Sequence, residues 1–198
     1  MLRTFLAINA PVANVRRIVD EARSLAAPIA ALGAEVAWVP TANVHLTLKF
    51  LGATRPEAVE AIQGSLARGL AATGRSPFEI EIRGMGAFPD LNAPTVLWAG
   101  VRPSAALAAL HKDVESWMSE LGFAKEERAF HPHFTVGRVK TTAAGPSGIG
   151  AILSDKQNVV FGGARVAEVV VYESRTARAG VEYVALARVP FDKQGKSS

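Results

Sequence analysis

Cysteine is absent from this chain of 198 residues. Its absence excludes thiolate zinc sites, cysteine nucleophiles and disulfide bonds, and with them several classes of enzyme. Long apolar runs are absent too, because Pro28, Gly33 and Glu35 interrupt the most apolar stretch, 25–39. A membrane-spanning helix needs roughly 20 apolar residues. Residues 1–5 also lack the charged and apolar regions of a cleavable leader. We therefore expect a soluble, cytoplasmic protein that does not associate with a membrane.

The excess of positive charge is small as well. Lysine and arginine number 22 against 18 aspartate and glutamate residues, which gives a net charge of +4. Such a surplus favours anionic partners only slightly unless the cations gather at one site. The length and the hydrophobic fraction of 49% are typical of one globular domain. Residues 192–198 are polar, and we expect them to form a flexible tail.

The periodicity of apolar residues predicts strands and helices in both halves of the chain. Strict alternation is clearest from Val44 to Leu51, where His45 and Thr47 share the polar face. The Gly- and Ala-rich segment from Thr141 to Gln157 has no period and is predicted to be a surface loop. The predicted strands cover 2–9, 44–51, 78–85, 95–101, 130–139, 166–172 and 183–189, and the predicted helices follow Pro11, Thr54 and Ser104.

The two halves resemble each other. Each contains a helix that ends in Leu-Gly, at 32–33 and at 121–122, and then a strand that carries His-x-Thr. Similar spacing separates the Leu-Gly pair from the histidine in each half. This pattern indicates an internal duplication, which would place equivalent residues across a shared cleft.

Two of the four histidines, His45 and His133, are followed two positions later by a threonine, at Thr47 and Thr135. Residues i and i+2 of a strand point to the same face, so each motif presents an imidazole beside a hydroxyl. One neutral and one protonated imidazole can accept and donate protons near neutral pH. A site of imidazoles and hydroxyls without a carboxylate suits an anionic phosphate better than a metal ion.

These motifs resemble those of a known family. The segments 43–52 and 130–138 are similar to the paired His-x-Thr signature of the two-histidine (2H) phosphoesterases. Within that superfamily they resemble the RNA 2′,3′-cyclic phosphodiesterases, also called 2′-5′ RNA ligases. Supporting matches extend the resemblance over nearly the whole chain, to about Phe191, and lie at Arg3–Ala7, Gly86–Pro89, Tyr172–Arg175, Gly180 and Tyr183.

The resemblance implies a fold and an activity. The fold would be α+β and bilobal, with two pseudo-repeated lobes of antiparallel sheet, helices packed outside and a central cleft, all within a single catalytic domain of two intertwined lobes over residues 1–191. The activity would be hydrolysis of an RNA 2′,3′-cyclic phosphate end, or of a small cyclic nucleotide, to a 2′-phosphomonoester, with 2′-5′ RNA ligation as the reverse reaction. It would need neither a metal nor another cofactor. We expect a monomer without an obligate protein partner.

The resemblance also implies roles for the motif residues. His133 would accept a proton from the attacking water, and His45 would donate a proton to the departing 3′ oxygen. Thr47 and Thr135 would hold the phosphate oxygens.

Three further residues are candidates for substrate binding. Lys49 and Arg138 could contact the RNA backbone, and Phe130 could stack on a base. Strand alternation places Lys49 on the face of His45. It places Arg138 on the face opposite His133, unless Gly137 introduces a bulge.

Two alternatives share the same residues. His131 and His133, joined by His45, match a zinc site with three imidazole ligands. Pro132 restricts the strand geometry of such a site, and the paired threonines would have no role in it. The second alternative is a module that binds RNA ends or nucleotides without turnover, which sequence does not separate from an enzyme.

Overall fold

Antiparallel strands form the framework of the protein. The computed structural model describes residues 1–142, 147–177 and 180–191. Within these ranges the strands are β1 Leu2–Ile8, β2 Ala34–Trp38, β3 Leu46–Thr54, β4 Phe78–Phe88, β5 Val96–Val101, β6 His133–Thr142, β7 Val160–Val166, β8 Glu168–Ala177 and β9 Gly180–Pro190. The helices are α1 Val12–Ser24, α2 Ala26–Ala31, α3 Ala58–Thr73, α4 Ala105–Glu120 and α5 Ser147–Ser154, and a 3-10 turn covers Thr41–Asn43.

The strands are arranged and connected in a similar way on both sides of the centre of the sheet. Its strand order is β7-β4-β5-β6-β3-β1-β8-β9, and β2 pairs with β6. The strands that carry the two motifs, β3 and β6, are neighbours at the centre and pair through Leu46 and Phe134. On one side the unit β5-α4-β6 matches β1-α1-β3 on the other. The predicted α+β fold with two halves of antiparallel sheet is therefore confirmed.

The helices cover one face of this sheet. Helix α1 packs on β6 and β7, and α4 packs on β3. Leu46 and Phe134 are fully buried on that side, in the main hydrophobic cluster. Gly69 of α3 lies against the indole of Trp117 of α4, at a distance that leaves no space for a side chain. The opposite face of β3 and β6 stays open, and the motif side chains lie there.

The end of β3 differs from the sequence prediction. The sequence places a helix directly after Thr54, a residue type that often caps helices, but the hydroxyl of Thr54 lies 2.6 Å from the hydroxyl of Thr4 on β1. Helix α3 begins only at Ala58 and has no side-chain cap. Ser104 does cap α4, since its Oγ accepts a hydrogen bond from the backbone N–H of Leu107 at 3.3 Å.

The predicted surface loop over 141–157 is wrong in its second part, which forms α5. Ile149 and Leu153, one helical turn apart, are fully buried. Gly150 lies against the backbone carbonyl of Leu91, where any side chain would collide. Glycine thus serves here for close packing of a helix and not for a flexible connection. The predicted tail at 192–198 lies outside the described residues.

No helix among the described residues combines the length and the apolar character needed to cross a lipid bilayer.

Candidate active site

His45 lies immediately before β3, and its ring is held at both nitrogen atoms. Nδ1 is 2.7 Å from the backbone carbonyl oxygen of Asn43. A carbonyl only accepts, so Nδ1 carries the proton in this contact and donates it. Nε2 lies 3.0 Å from the hydroxyl of Thr47 and accepts from it when the ring is neutral. The motif thus fixes both the tautomer and the orientation of the imidazole.

His133 has the same backbone contact as His45. It is the first residue of β6, and its Nδ1 lies 2.6 Å from the carbonyl oxygen of His131, two residues earlier. The contact again places the proton on Nδ1 and leaves Nε2 with its lone pair. Thr135 follows two residues later and is half-buried, as Thr47 is.

The pairing of Leu46 with Phe134 brings the two motifs together at the centre of the sheet. The rings of His45 and His133 are close enough for the charge of His133 to lower the pKa of His45. All four residues of the predicted His-x-Thr pair, His45, Thr47, His133 and Thr135, therefore share one site.

Aromatic rings surround both imidazoles. Phe5 stacks on His45 with ring centroids 4.8 Å apart, and Tyr183 meets the same ring edge-on at 5.0 Å. Phe88 meets His133 edge-on at 4.8 Å. These rings belong to strands far from the motifs in sequence, and strand periodicity gives no signal of such pairings. Phe5, Phe88 and Tyr183 lie in the flanking matches that supported the family resemblance, but those matches did not predict their contacts with the imidazoles.

Burial controls the charge of the two histidines. Desolvation is the largest cause that lowers the pKa of His45, from its ordinary value of 6.5 to about 4. Desolvation also lowers the pKa of His133, and the positive charges of His131 and Arg138 lower it further. Both rings are consequently neutral at pH 7 in the unliganded protein, and each presents a basic Nε2.

Each motif strand has a β-bulge three residues after its histidine. Leu48 is the extra residue in β3 against β1, and Val136 is the extra residue in β6 against β5. A bulge reverses the alternation of the side chains beyond it. Its effect explains where the structure places Lys49 and Arg138.

Lys49 was predicted to face the cleft, and the structure contradicts that prediction. The bulge at Leu48 turns Lys49 to the helix side, where only 4% of the residue is exposed. Its Nζ donates to Oε2 of Glu115 and to the carbonyl oxygen of Ala124, both at 2.7 Å. Oε2 of Glu115 also accepts from the backbone N–H of Glu126 at 3.2 Å. Lys49 is part of a buried structural ion pair and does not face the cleft.

Arg138 and Phe50 occupy equivalent places, each five residues after its histidine. The bulge at Val136 brings Arg138 to the face of His133, where its charge lowers the pKa of that ring. The bulge at Leu48 brings Phe50 to the face of His45, where it lies 6.0 Å from Phe5. Phe50 is 66% exposed, and sequence analysis missed it because alternation assigned it to the core.

Phe130 lies apart from the motif pair. Its ring stacks on that of His111 of α4, with centroids 3.9 Å apart and the planes nearly parallel. It borders a cavity together with His131 and Pro132. The predicted stacking of Phe130 on a base remains a prediction.

The three-imidazole alternative has little geometric support. His131 lies 5.4 Å from both Phe88 and Trp98, measured between ring centroids. Across residues 1–142, 147–177 and 180–191, no three histidine, aspartate or glutamate side chains lie in an arrangement suited to one metal ion.

Comparisons with known proteins point to one family. The sequence model of the 2′-5′ RNA ligase superfamily matches residues 11–178. A protein of Aeropyrum pernix named RNA 2′,3′-cyclic phosphodiesterase is 32% identical over 169 residues, which cover 85% of this chain and 93% of that protein. A protein of the same name from Methanothermobacter thermautotrophicus is 34% identical over 188 residues, which cover 92% and 95%.

Solved structures show the same fold. Escherichia coli LigT in complex with 3′-AMP superimposes with a TM-score of 0.72 at 26% identity, over 97% of this chain and 99% of that one. TT0787 of Thermus thermophilus superimposes with a TM-score of 0.76 at 23% identity, over 98% of this chain and all of its own. The resemblance seen in the motifs is confirmed, and the chain belongs to the 2′-5′ RNA ligase superfamily.

Proposed function

We propose that this protein hydrolyses the 2′,3′-cyclic phosphate at the end of an RNA strand to a 2′-phosphomonoester. The observation that carries the proposal is the meeting of two His-x-Thr motifs at one strand pair, with each Nδ1 bonded to a backbone carbonyl. The relatives from A. pernix and M. thermautotrophicus bear the name of this activity. In this proposal the reaction uses neither a metal nor another cofactor, and a single chain supplies all the groups.

The proposed mechanism moves one proton onto the histidine pair and one proton off it. Nε2 of His133 accepts a proton from water, whose oxygen attacks phosphorus while the bond to the 3′ oxygen breaks. Nε2 of His45 donates a proton to the departing oxygen. The hydroxyls of Thr47 and Thr135 donate hydrogen bonds to the phosphate oxygens. If a 5′-hydroxyl takes the place of water, the same steps join two strands through a 2′-5′ bond.

His45 must be protonated before it can donate. Its pKa of about 4 in the unliganded protein leaves it neutral at pH 7. A bound phosphate anion favours the protonated form of both rings, so we propose that substrate binding is coupled to proton uptake at His45.

Two residues on the cleft face support binding of a nucleotide. Arg138 places a cation beside His133, where a phosphate oxygen would lie. Phe50 offers an exposed ring on the side of His45, on which a base can stack. We propose that these two side chains hold the terminal nucleotide.

The activity is tested with a short RNA that ends in a 2′,3′-cyclic phosphate, in the presence of EDTA. We expect a 2′-phosphate product, and we expect His45→Ala and His133→Ala each to lower the rate by about 10²- to 10⁴-fold, the usual contribution of a general acid or base. His111→Gln serves as the histidine control. Binding of unchanged RNA would support the non-catalytic alternative, and a rate that EDTA abolishes and zinc restores would support the metal site.

A second substrate assigns the two roles. In 3′-deoxyadenosine 2′-(p-nitrophenyl phosphate) the leaving group departs as p-nitrophenolate, which needs no proton from a general acid. We expect His45→Ala to hydrolyse this ester at close to the wild-type rate and His133→Ala to remain inactive. Retention of the rate by His133→Ala instead would show that the roles are exchanged.

A further inference from the structure

A cavity of about 940 Å³ opens next to the motif pair, on the side of His133. We call it the Trp98 cavity. Its floor is the backbone of β4 and β5 at Gly84, Gly86 and Gly100, and its walls are Trp98, residues 130–132 and the start of α4. None of the four His-x-Thr side chains lines it, and neither does Phe50.

Glycine keeps this part of the sheet open. A Cβ at Gly86 would collide with the six-membered ring of Trp98, and a Cβ at Gly100 would come within 3.0 Å of the same ring and of the carbonyl oxygen of Arg83. The indole therefore lies against bare backbone. A flat aromatic side chain beside an open space is suited to stacking on a nucleobase.

The wall of the cavity lies close to the motif pair. The ring centroid of Trp98 lies 5.4 Å from that of His131 and 6.4 Å from that of His133. An occupant of the cavity would thus lie one nucleotide or less away from a phosphate held between the two imidazoles. Pockets of 300 to 1,000 Å³ are usual for small ligands and cofactors, so the space is sufficient for a nucleoside.

The charges at the cavity suit a phosphodiester. Arg83 and Arg102 both line it, and both contact Glu81, at 3.7 Å and 3.1 Å. The side chain of Arg102 is 60% exposed and can reach an incoming anion. Asp90 is the one carboxylate on the wall. The lining therefore combines an aromatic platform with two arginines that share one carboxylate, Glu81, and aromatic and cationic groups of this kind bind single-stranded nucleic acid.

We infer that the Trp98 cavity binds the nucleoside on the 5′ side of the nucleotide that carries the cyclic phosphate, with Arg102 near the connecting phosphodiester. The inference rests on the proposed function, because it assumes a cyclic phosphate between the imidazoles. Phe50 and the Trp98 cavity lie on different sides of the motif pair, which leaves the cavity free when the terminal base is bound. When the end of an RNA strand is hydrolysed, the 5′ neighbour is always present, since it belongs to the same strand.

The test compares two substrates on matched variants. Ala108 and Ala109 are adjacent exposed residues of α4, but only Ala108 lines the cavity. Ala108→Trp fills the cavity from outside the sheet, and Ala109→Trp places the same side chain in solvent. Adenosine 2′,3′-cyclic phosphate occupies the motif pair and the terminal-base side without entering the cavity, and the dinucleotide ApA with a 2′,3′-cyclic phosphate end adds the 5′ nucleoside.

We expect the wild-type kcat/KM to be about tenfold higher for the dinucleotide than for the mononucleotide, a gain of the size that base stacking provides. Ala108→Trp should remove most of this gain and leave the mononucleotide rate unchanged, and Ala109→Trp should keep it. Arg102→Gln should lower the dinucleotide rate alone.

The outcomes that would overturn this inference differ from the outcome that would refute the proposed function. Equal rates for the two substrates in the wild type, or an equal loss of both in Ala108→Trp, would overturn the inference. It would also be overturned if Ala108→Trp spared hydrolysis of the dinucleotide and weakened only ligation to a 5′-hydroxyl strand, because the cavity would then hold the second strand. Failure of the wild type to hydrolyse either substrate would instead refute the proposed function.

Discussion

An imidazole surrounded by aromatic rings loses the water that stabilises its charged form, and the two motif histidines are in this position. Phe5 and Tyr183 enclose His45, and Phe88 contacts His133. Their pKa values are lowered for this reason, that of His45 to about 4. The proposed mechanism needs one neutral and one protonated ring. The active form of the free enzyme is thus most abundant at acid pH, between the two lowered pKa values.

This argument predicts different pH optima for kcat/KM and for kcat. The kcat/KM profile reports the free enzyme, so its optimum should lie below the ordinary histidine pKa of 6.5. The kcat profile reports the bound complex, in which the phosphate anion raises both pKa values, so its optimum should lie at higher pH. Initial rates across the acid and neutral range measure both. A kcat/KM optimum at or above the kcat optimum would contradict the pKa values.

At the scale of elements, β3 carries two functions on its two faces. Up to Thr47 its polar residues face the cleft, and beyond the bulge at Leu48 its lysine faces α4. The ion pair of Lys49 with Glu115 also holds the segment after α4, through the carbonyl of Ala124 and the N–H of Glu126. This segment leads into β6, so the pair connects the strand of one motif with the approach to the other.

A matched comparison tests the structural role of Lys49. Lys49→Met leaves the Glu115 carboxylate buried without its cation, and we expect the free energy of unfolding to fall by about 3 to 5 kcal/mol. Lys140 makes an ion pair of equal length, 2.7 Å, with Glu35, but both side chains are more than half exposed. Lys140→Met should therefore cost less than about 1 kcal/mol. Urea unfolding of the two variants measures the difference, and similar losses would refute the role.

The same elements show what sequence reasoning could reach. Alternation located β3 and β6 and put the imidazole and the hydroxyl of each motif on one face, because that pattern depends on two residues within one strand. The bulges at Leu48 and Val136 arise from pairing with β1 and β5, which lie far away in sequence. The bulge in β3 places Lys49 on the helix side, opposite to the face that alternation predicts. The bulge in β6 places Arg138 on the face of His133, a position that the sequence allowed only if a bulge was present. Helix α5 was missed because its glycines serve for packing against Leu32 and Leu91.

For the whole molecule, the internal similarity of the sequence was the most informative feature. The matching Leu-Gly and His-x-Thr segments predicted a shared cleft, and the strand order repeats on both sides of the β3–β6 junction. The family followed from the two motifs together with their flanks. The aromatic enclosure and the Trp98 cavity depend on strands that lie far apart in sequence and meet only in the folded sheet, and no local pattern encodes them.

The two bulges make the two ends of the cleft different from each other. A site built from two equal halves would accept a phosphodiester equally well in either direction, and its two histidines would be interchangeable. At the equivalent positions after the bulges, one half presents the ring of Phe50 and the other the cation of Arg138. In the proposed binding mode an incoming strand meets a base-stacking surface at one end and a positive charge at the other. The difference between Phe50 and Arg138 at equivalent places would then fix the direction in which RNA lies in the cleft.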